Sequence, residues 1–178
     1  MATGPLTLQE INAFDQDTFV EKLGPLFEGT PWIVAETWSR HPFPSIDHLY
    51  SVLCEVMYTA PIERQIVLLK SHPDLVGRAA LAGTLSPAST NEQTSAGLDG
   101  LSLEEIALFT RYNQAYRDRY GFPFVICARE NKKESILAGF ETRLCHSREQ
   151  EIEIALGEVA KICKLRLDDQ VRVPEPEC

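Results

Sequence analysis

Phe122-Pro123-Phe124-Val125-Ile126-Cys127-Ala128 is the one stretch of this 178-residue chain that does not read at helical period. It is apolar, short and interrupted by a proline, as an edge strand can be. No second strand candidate exists to pair with it, and a lone strand makes no sheet. The stretch is therefore expected as an extended, buried segment rather than a strand. Its backbone N–H and C=O groups still need partners. Neighbouring side chains and loops can supply them, or the segment can offer them to a planar polar ligand.

Most of the rest of the chain reads as helix. Upstream, Ser102-x-x-Glu105 is a capping box that opens a long helix carrying Ile106, Phe109, Tyr112, Asn113, Tyr116 and Tyr120. Gly121 closes it, because a glycine accepts the left-handed conformation that ends many helices. Downstream, residues 132–144 carry Ile136, Leu137, Phe140 and Leu144, and Ser147-x-x-Gln150 opens a last helix to about Val171. Toward the N-terminus, Asp17 is expected to cap a helix with Phe19, Val20, Leu23 and Leu26. Thr30-Pro31 reads as a cap followed by proline at the first helical position. Ser45 caps a stripe of Ile46, Leu49, Leu53, Val56 and Met57 at steps of three and four. Pro61 starts a helix that stops near Ser71-His72, since Pro73 disfavours helical backbone at His72. Residues 72–87 read as a loop, and Ser86-Pro87 as the start of a helix to about Leu98. The expectation is an all-α fold: a single compact domain over 1–178 with seven to eight helices and no sheet. About 1–8 and 172–178, including Val173-Pro174-Glu175-Pro176, are expected as loose ends.

Composition narrows the function classes. Lys+Arg 17 against Asp+Glu 26 gives a net charge of −9. That argues against a nucleic-acid binder, which would carry a basic face, and against binding to anionic membranes. A small anionic substrate remains compatible, because its site needs only one or two local cations. No apolar run approaches the ~18 residues of a membrane span. Met1-Ala2-Thr3-Gly4-Pro5 has neither the basic nor the apolar part of a signal peptide, and Pro176-Glu177-Cys178 is no peroxisomal tripeptide. A cytoplasmic location is expected, with a peroxisome open in a eukaryote. The five cysteines form no C-x-x-C pair, and the four histidines form no metal-binding spacing, so no metal is expected.

Several residues resist a purely structural reading. The last helix places Ile152, Ala155, Val159, Ile162 and Arg166 on one face, so an arginine ends an apolar stripe. Arg166 can pair with a buried carboxylate, or it can line an anion pocket. His72 sits at a helix-to-loop junction with its backbone restricted by Pro73, which suits a group held in one orientation for acid–base work. Ser89-Thr90-Asn91-Glu92-Gln93 is a polar cluster early in a short helix. It either complements the helix dipole or supplies acceptors and donors to a ligand rich in N–H and C=O groups. Cys127 makes a poor nucleophile on this reading, because no base or electropositive neighbour lies near it in sequence.

Four segments in order carry a resemblance. They are Ser71-His72-Pro73-Asp74-Leu75, Ser89-x-x-Glu92-Gln93, Tyr120 to Arg129, and Glu158-Val159-x-Lys161-Ile162-x-x-Leu165-Arg166-Leu167. Together, over about residues 8 to 171, the chain resembles the 2-oxo-4-hydroxy-4-carboxy-5-ureidoimidazoline (OHCU) decarboxylases. The resemblance implies an all-helical homodimer without metal or organic cofactor. It implies conversion of the ureidoimidazoline to (S)-allantoin in urate breakdown, after urate oxidase and hydroxyisourate hydrolase. It makes His72 the catalytic histidine, with Glu92 beside it. It puts Pro73, Ser89, Thr90, Asn91, Glu92, Gln93, Phe124, Val125, Ile126, Cys127, Ala128 and Arg166 in contact with substrate. The competing classes are a non-catalytic helical interaction module and a lyase or hydrolase acting on a related ureide.

Overall fold

The computed structural model describes residues 4–172; the expected tail from Val173 on lies outside the described residues. In chain order its helices are α1 (Leu8–Ala13), α2 (Gln16–Leu23), α3 (Trp32–Thr37), α4 (Ile46–Thr59), α5 (Ile62–Ser71), α6 (Arg78–Leu81), α7 (Pro87–Ser95), α8 (Leu103–Tyr120), α9 (Lys133–Arg143) and α10 (Arg148–Gln170). Short 3₁₀ turns follow at Gly24–Leu26, Trp38–Arg40 and Ala128–Glu130. The only strand-like pairing among the described residues is one parallel bridge between Leu6 and Val171. The fold is all-α, and each helix expected from sequence is present. Helices α1 and α6 are additional, with six and four residues, too short to show a periodic stripe.

The caps account for most of the boundaries. Ser45 accepts from the His48 amide at 3.0 Å and Ser86 from the Ser89 amide at 3.2 Å. Ser102 and Glu105 exchange reciprocal bonds at 3.2 and 2.8 Å, as do Ser147 and Gln150 at 3.2 and 2.9 Å. Gly121 ends α8 at φ +83°. Two expected caps are displaced. Asp15, not Asp17, caps α2 by accepting from the Thr18 amide. Asp17 then falls in the first turn, where its charge suits the positive helix end. At α3 the cap position is Pro31, which has no side-chain acceptor, and the buried Thr30 hydroxyl has no hydrogen-bond partner among the described residues.

The described residues form two compact units. One runs to Leu68 and resumes at Ala160; the other is Leu69–Val159. Helices α5 and α10 each run across a boundary between them. The first unit buries Ile11, Phe19, Leu23, Leu49, Leu53, Met57, Cys163 and Leu167 completely. Here α2 and α4 both pack on α3, and Phe19 stacks on Phe43 with ring centroids 5.8 Å apart. The second unit is built on aromatic rings. Phe124 stacks on Phe140 at 3.9 Å, and Tyr116 meets Phe124 edge-on at 5.2 Å. The extended segment 122–127 is thus anchored by its own phenylalanines, with α8 and α9 as its walls.

Candidate active site

The site begins where α5 stops. His72 donates its amide to the Leu69 carbonyl at 3.3 Å, and Pro73 then turns the chain out of the helix. The His72 residue is only 7% exposed. The loop that follows is tight and braced. The Gly77 amide closes a turn on the Asp74 carbonyl at 3.3 Å. Val76 has φ +53°, a rare conformation for a β-branched residue. From α8, Asn113 Nδ2 donates to the Leu75 carbonyl at 2.8 Å. Arg117 Nε lies 2.9 and 3.1 Å from the two carboxylate oxygens of Asp74. From α7, Gln93 Oε1 accepts from the Val76 amide at 3.0 Å, and Gln93 Nε2 lies 3.4 Å from the Asp74 carbonyl.

Helix α7 presents its polar cluster unevenly. Ser89 and Gln93 are buried, Glu92 is half-buried, and Thr90 and Asn91 are exposed. The Thr90 hydroxyl donates back to the Ser86 carbonyl at 3.0 Å. The same helix packs on the Ala128–Glu130 turn. It therefore joins the His72 loop to the end of the extended segment.

That segment finds side-chain partners for part of its backbone. Arg143 Nη1 donates to the Val125 carbonyl at 2.7 Å. The Cys127 amide donates to Glu158 Oε2 at 2.7 Å, and Asn131 Nδ2 donates to the Cys127 carbonyl at 2.9 Å. Half-buried Ile126 makes no hydrogen bond to any described residue. Side chains thus take the groups on either side of Ile126, the first of the two solutions open to the sequence. Arg143 is itself fixed. Its Nε bonds Glu151 Oε2 at 2.9 Å, and its guanidinium sits 4.3 Å from the Phe124 ring centre. Glu151 is fully buried, and it also accepts from the Tyr116 hydroxyl and from His146 Nδ1. A buried carboxylate needs this many donors to offset the loss of water.

Burial pushes the Cys127 thiol up to about 11, and the negative charges of Glu130, Glu158 and Glu92 add to the effect. Cys127 is therefore a poor nucleophile at neutral pH, as its sequence setting indicates. Arg166 belongs to the first unit and is 5% exposed. Its Nη1 lies 2.8 Å from Glu28 Oε2 and 3.2 Å from the Pro25 carbonyl. The carboxylate that pairs with it is the half-buried Glu28.

Three of the four sequence motifs, around His72, Ser89–Gln93 and Phe124–Ala128, are thus brought together inside one unit. Sequence reasoning missed the residues that hold them there: Asn113, Arg117, Arg143 and Glu151. Asn113 was legible only as part of a helical stripe. Arg143 and Glu151 left no signal, because each reads as an ordinary charged helix residue until its partner is known. Among the described residues, no group of three or more His, Cys, Asp or Glu side chains is placed to hold a metal ion. No described helix is long and apolar enough to cross a membrane.

A small all-α protein with a buried histidine on a braced loop, a carboxylate on the adjoining helix and an extended apolar segment beside it defines the class. The OHCU decarboxylase family model matches residues 12–168, and the chain belongs to that family. It is 40% identical over 165 residues to the 2-oxo-4-hydroxy-4-carboxy-5-ureidoimidazoline decarboxylase of Haloferax volcanii, covering 93% of this chain and 96% of that one. The corresponding protein of Amia calva is 39% identical, with 95% and 97% covered. The chain also matches 32% of the uric acid degradation bifunctional protein PucL of Bacillus subtilis, at 34% identity over 92% of its own length. Among solved structures, an (S)-allantoin synthase shares the fold with a TM-score of 0.74 at 24% identity, covering 93% of this chain and 54% of that one. An OHCU decarboxylase crystallised in the presence of (S)-allantoin superposes with a TM-score of 0.67 at 18% identity, over 86% and 96%.

Proposed function

We propose that this protein decarboxylates 2-oxo-4-hydroxy-4-carboxy-5-ureidoimidazoline to (S)-allantoin in urate degradation. The observation that carries the site assignment is the gathering of His72, the Glu92 helix face and the 124–128 segment in one unit. The chemistry follows from those groups. The bond from the ring carbon to the carboxylate breaks, carbon dioxide leaves, and the electron pair stays on the ring. The substrate's own conjugated heterocycle accepts that pair, so no cofactor is required as a sink. Glu92 accepts hydrogen bonds from the ureido and ring N–H groups, and the Ile126 peptide holds the polar edge of the ring. Pro73, Ser89 and the apolar side chains of 124–128 complete the contacts. His72 acts as general acid and base near the hydroxyl and carboxylate. Delivery of its proton to one face of the ring sets the enantiomer.

Arg166 carries a second reading, favoured by its pair with Glu28: it holds its own unit together. Under that reading Arg166→Ala lowers the melting temperature and leaves the kinetics unchanged. A fall in turnover at unchanged melting temperature assigns it to the substrate instead. We further infer a homodimer in the cytoplasm, supplied with substrate by urate oxidase and hydroxyisourate hydrolase; light scattering at several protein concentrations tests the dimer.

The test of the function is circular dichroism of allantoin formed from freshly generated substrate. Rapid appearance of one enantiomer, reduced ~10²-fold or more in His72→Asn at unchanged helicity, is the expected result. Racemic product at the uncatalysed rate overturns the activity, and near-normal turnover in His72→Asn overturns the histidine assignment.

A further inference from the structure

The carboxamide of Gln93 is engaged at both ends by the chain itself. Its oxygen accepts from the Val76 amide at 3.0 Å, and its nitrogen faces the Asp74 carbonyl at 3.4 Å. Gln93 is 7% exposed, on the buried side of α7. The two groups it grips flank Leu75, two and four residues along the chain from the Pro73-restricted junction at His72. Val76 sits at φ +53°, where a valine stays only if its surroundings hold it. A side-chain amide offers an acceptor and a donor together, side by side from one rigid plane. A carboxylate would keep the Val76 bond, but it would set a second acceptor against the Asp74 carbonyl.

We propose that Gln93 is a positioning residue that latches the His72 loop and acts on the reaction through His72, not by gripping the substrate. This rests on the assignment of His72 as the acid–base group. The neighbouring Glu92, half-buried on the same helix, keeps the substrate-facing role. One helix would then serve both purposes at consecutive positions: Glu92 for the ligand and Gln93 for the loop that carries the histidine.

The experiment compares Gln93→Met, Gln93→Glu, His72→Asn and the double variant Gln93→Met/His72→Asn by initial rates and melting temperature. The expected result is a fall in kcat of ~10-fold or more for Gln93→Met, with KM within about twofold of wild type. Gln93→Glu keeps one of the two bonds and falls between wild type and Gln93→Met; it also serves if Gln93→Met does not fold. In the His72→Asn background the methionine substitution has no further effect on the residual rate, as two groups acting as one unit require. A rise in KM at constant kcat in Gln93→Met means that Gln93 touches the substrate, and overturns the latch. Unchanged kinetics with only a lower melting temperature overturns it too, as does full additivity with His72→Asn. Normal turnover in His72→Asn is the separate failure: it removes the histidine assignment, and the latch goes with it.

Discussion

Arg143 donates from Nη1 to the Val125 carbonyl at 2.7 Å while its Nε bonds the fully buried carboxylate of Glu151 at 2.9 Å. One guanidinium thereby fixes an extended segment to a helix. It works because arginine presents several donors in a rigid fork. A lysine offers its three donors from a single atom and cannot reproduce that planar fork. The segment has no strand partner, so this bond, with that of Glu158 to the Cys127 amide, replaces a sheet.

Removing Arg143 leaves Glu151 charged and buried with fewer donors. Arg143→Leu is expected to cost ~3–5 kcal/mol in urea denaturation, the usual range for breaking a buried pair from one side. The double variant Arg143→Leu/Glu151→Leu recovers part of that loss, since the stranded charge goes as well. A single-variant loss below ~1 kcal/mol would mean that the remaining Tyr116 and His146 bonds suffice for Glu151.

Gly77 closes the turn on Asp74, and a Cβ there would stand 2.6 Å from Asp74 Cβ and 3.1 Å from its carbonyl oxygen. Its φ of −80° is open to any residue, so the constraint is space, not backbone conformation. Gly77→Ala must push Asp74 off Arg117 or open the turn, at a cost of ~1–3 kcal/mol typical of overpacking. Turnover should fall too, because the displaced loop carries His72. A melting temperature equal to wild type would show that the loop absorbs the methyl group without strain.

What the sequence made legible and what it hid divide along physical lines. The capping boxes at Ser102 and Ser147, and the stop at Gly121, are local signals, and all three hold. The missing sheet was legible because Phe122–Ala128 had nothing to pair with. Asp15 was missed as a cap because two aspartates two residues apart satisfy the same rule. The bracing of the site was hidden for another reason. Val76–Gln93, Leu75–Asn113 and Val125–Arg143 are contacts between a backbone group and a distant side chain, and no periodicity records them. Gln93 could be recognised as a motif member from sequence. Which atoms it holds could not.

The thiols should react in the order of their exposure. Cys145 is exposed, whereas Cys127 and Cys163 are buried, and burial raises both of the latter thiols, Cys127 to about 11. Burial also raises half-buried Cys54. Mass spectrometry after brief iodoacetamide treatment at about pH 7.5 should find Cys145 modified well before Cys127, since the thiolate is the reacting form. Cys127→Ala keeps the backbone of the segment and removes only the sulfur atom, so its kcat should stay near wild type even where a lost contact raises KM. Loss of activity on selective modification of Cys127, or in Cys127→Ala, would restore it as a participant in the chemistry.

Glu105 joins a helix cap to an ion pair. Its carboxylate receives the Ser102 amide at 2.8 Å and Lys133 Nζ at 2.5 Å. The Lys133 bond, then the Ser102 amide, hold its carboxyl below the ordinary value of 4.5. A carboxyl lowered in the folded state binds fewer protons there than when unfolded. Its contribution is therefore complete above about pH 4.5 and lost as the pH falls through the folded value. The Glu105→Gln variant should unfold at lower urea than wild type at neutral pH. The gap should close as both proteins are taken to acid, because protonation does to Glu105 what the substitution does. A gap that stays constant through acid would assign the loss to altered packing of the amide and not to the charge.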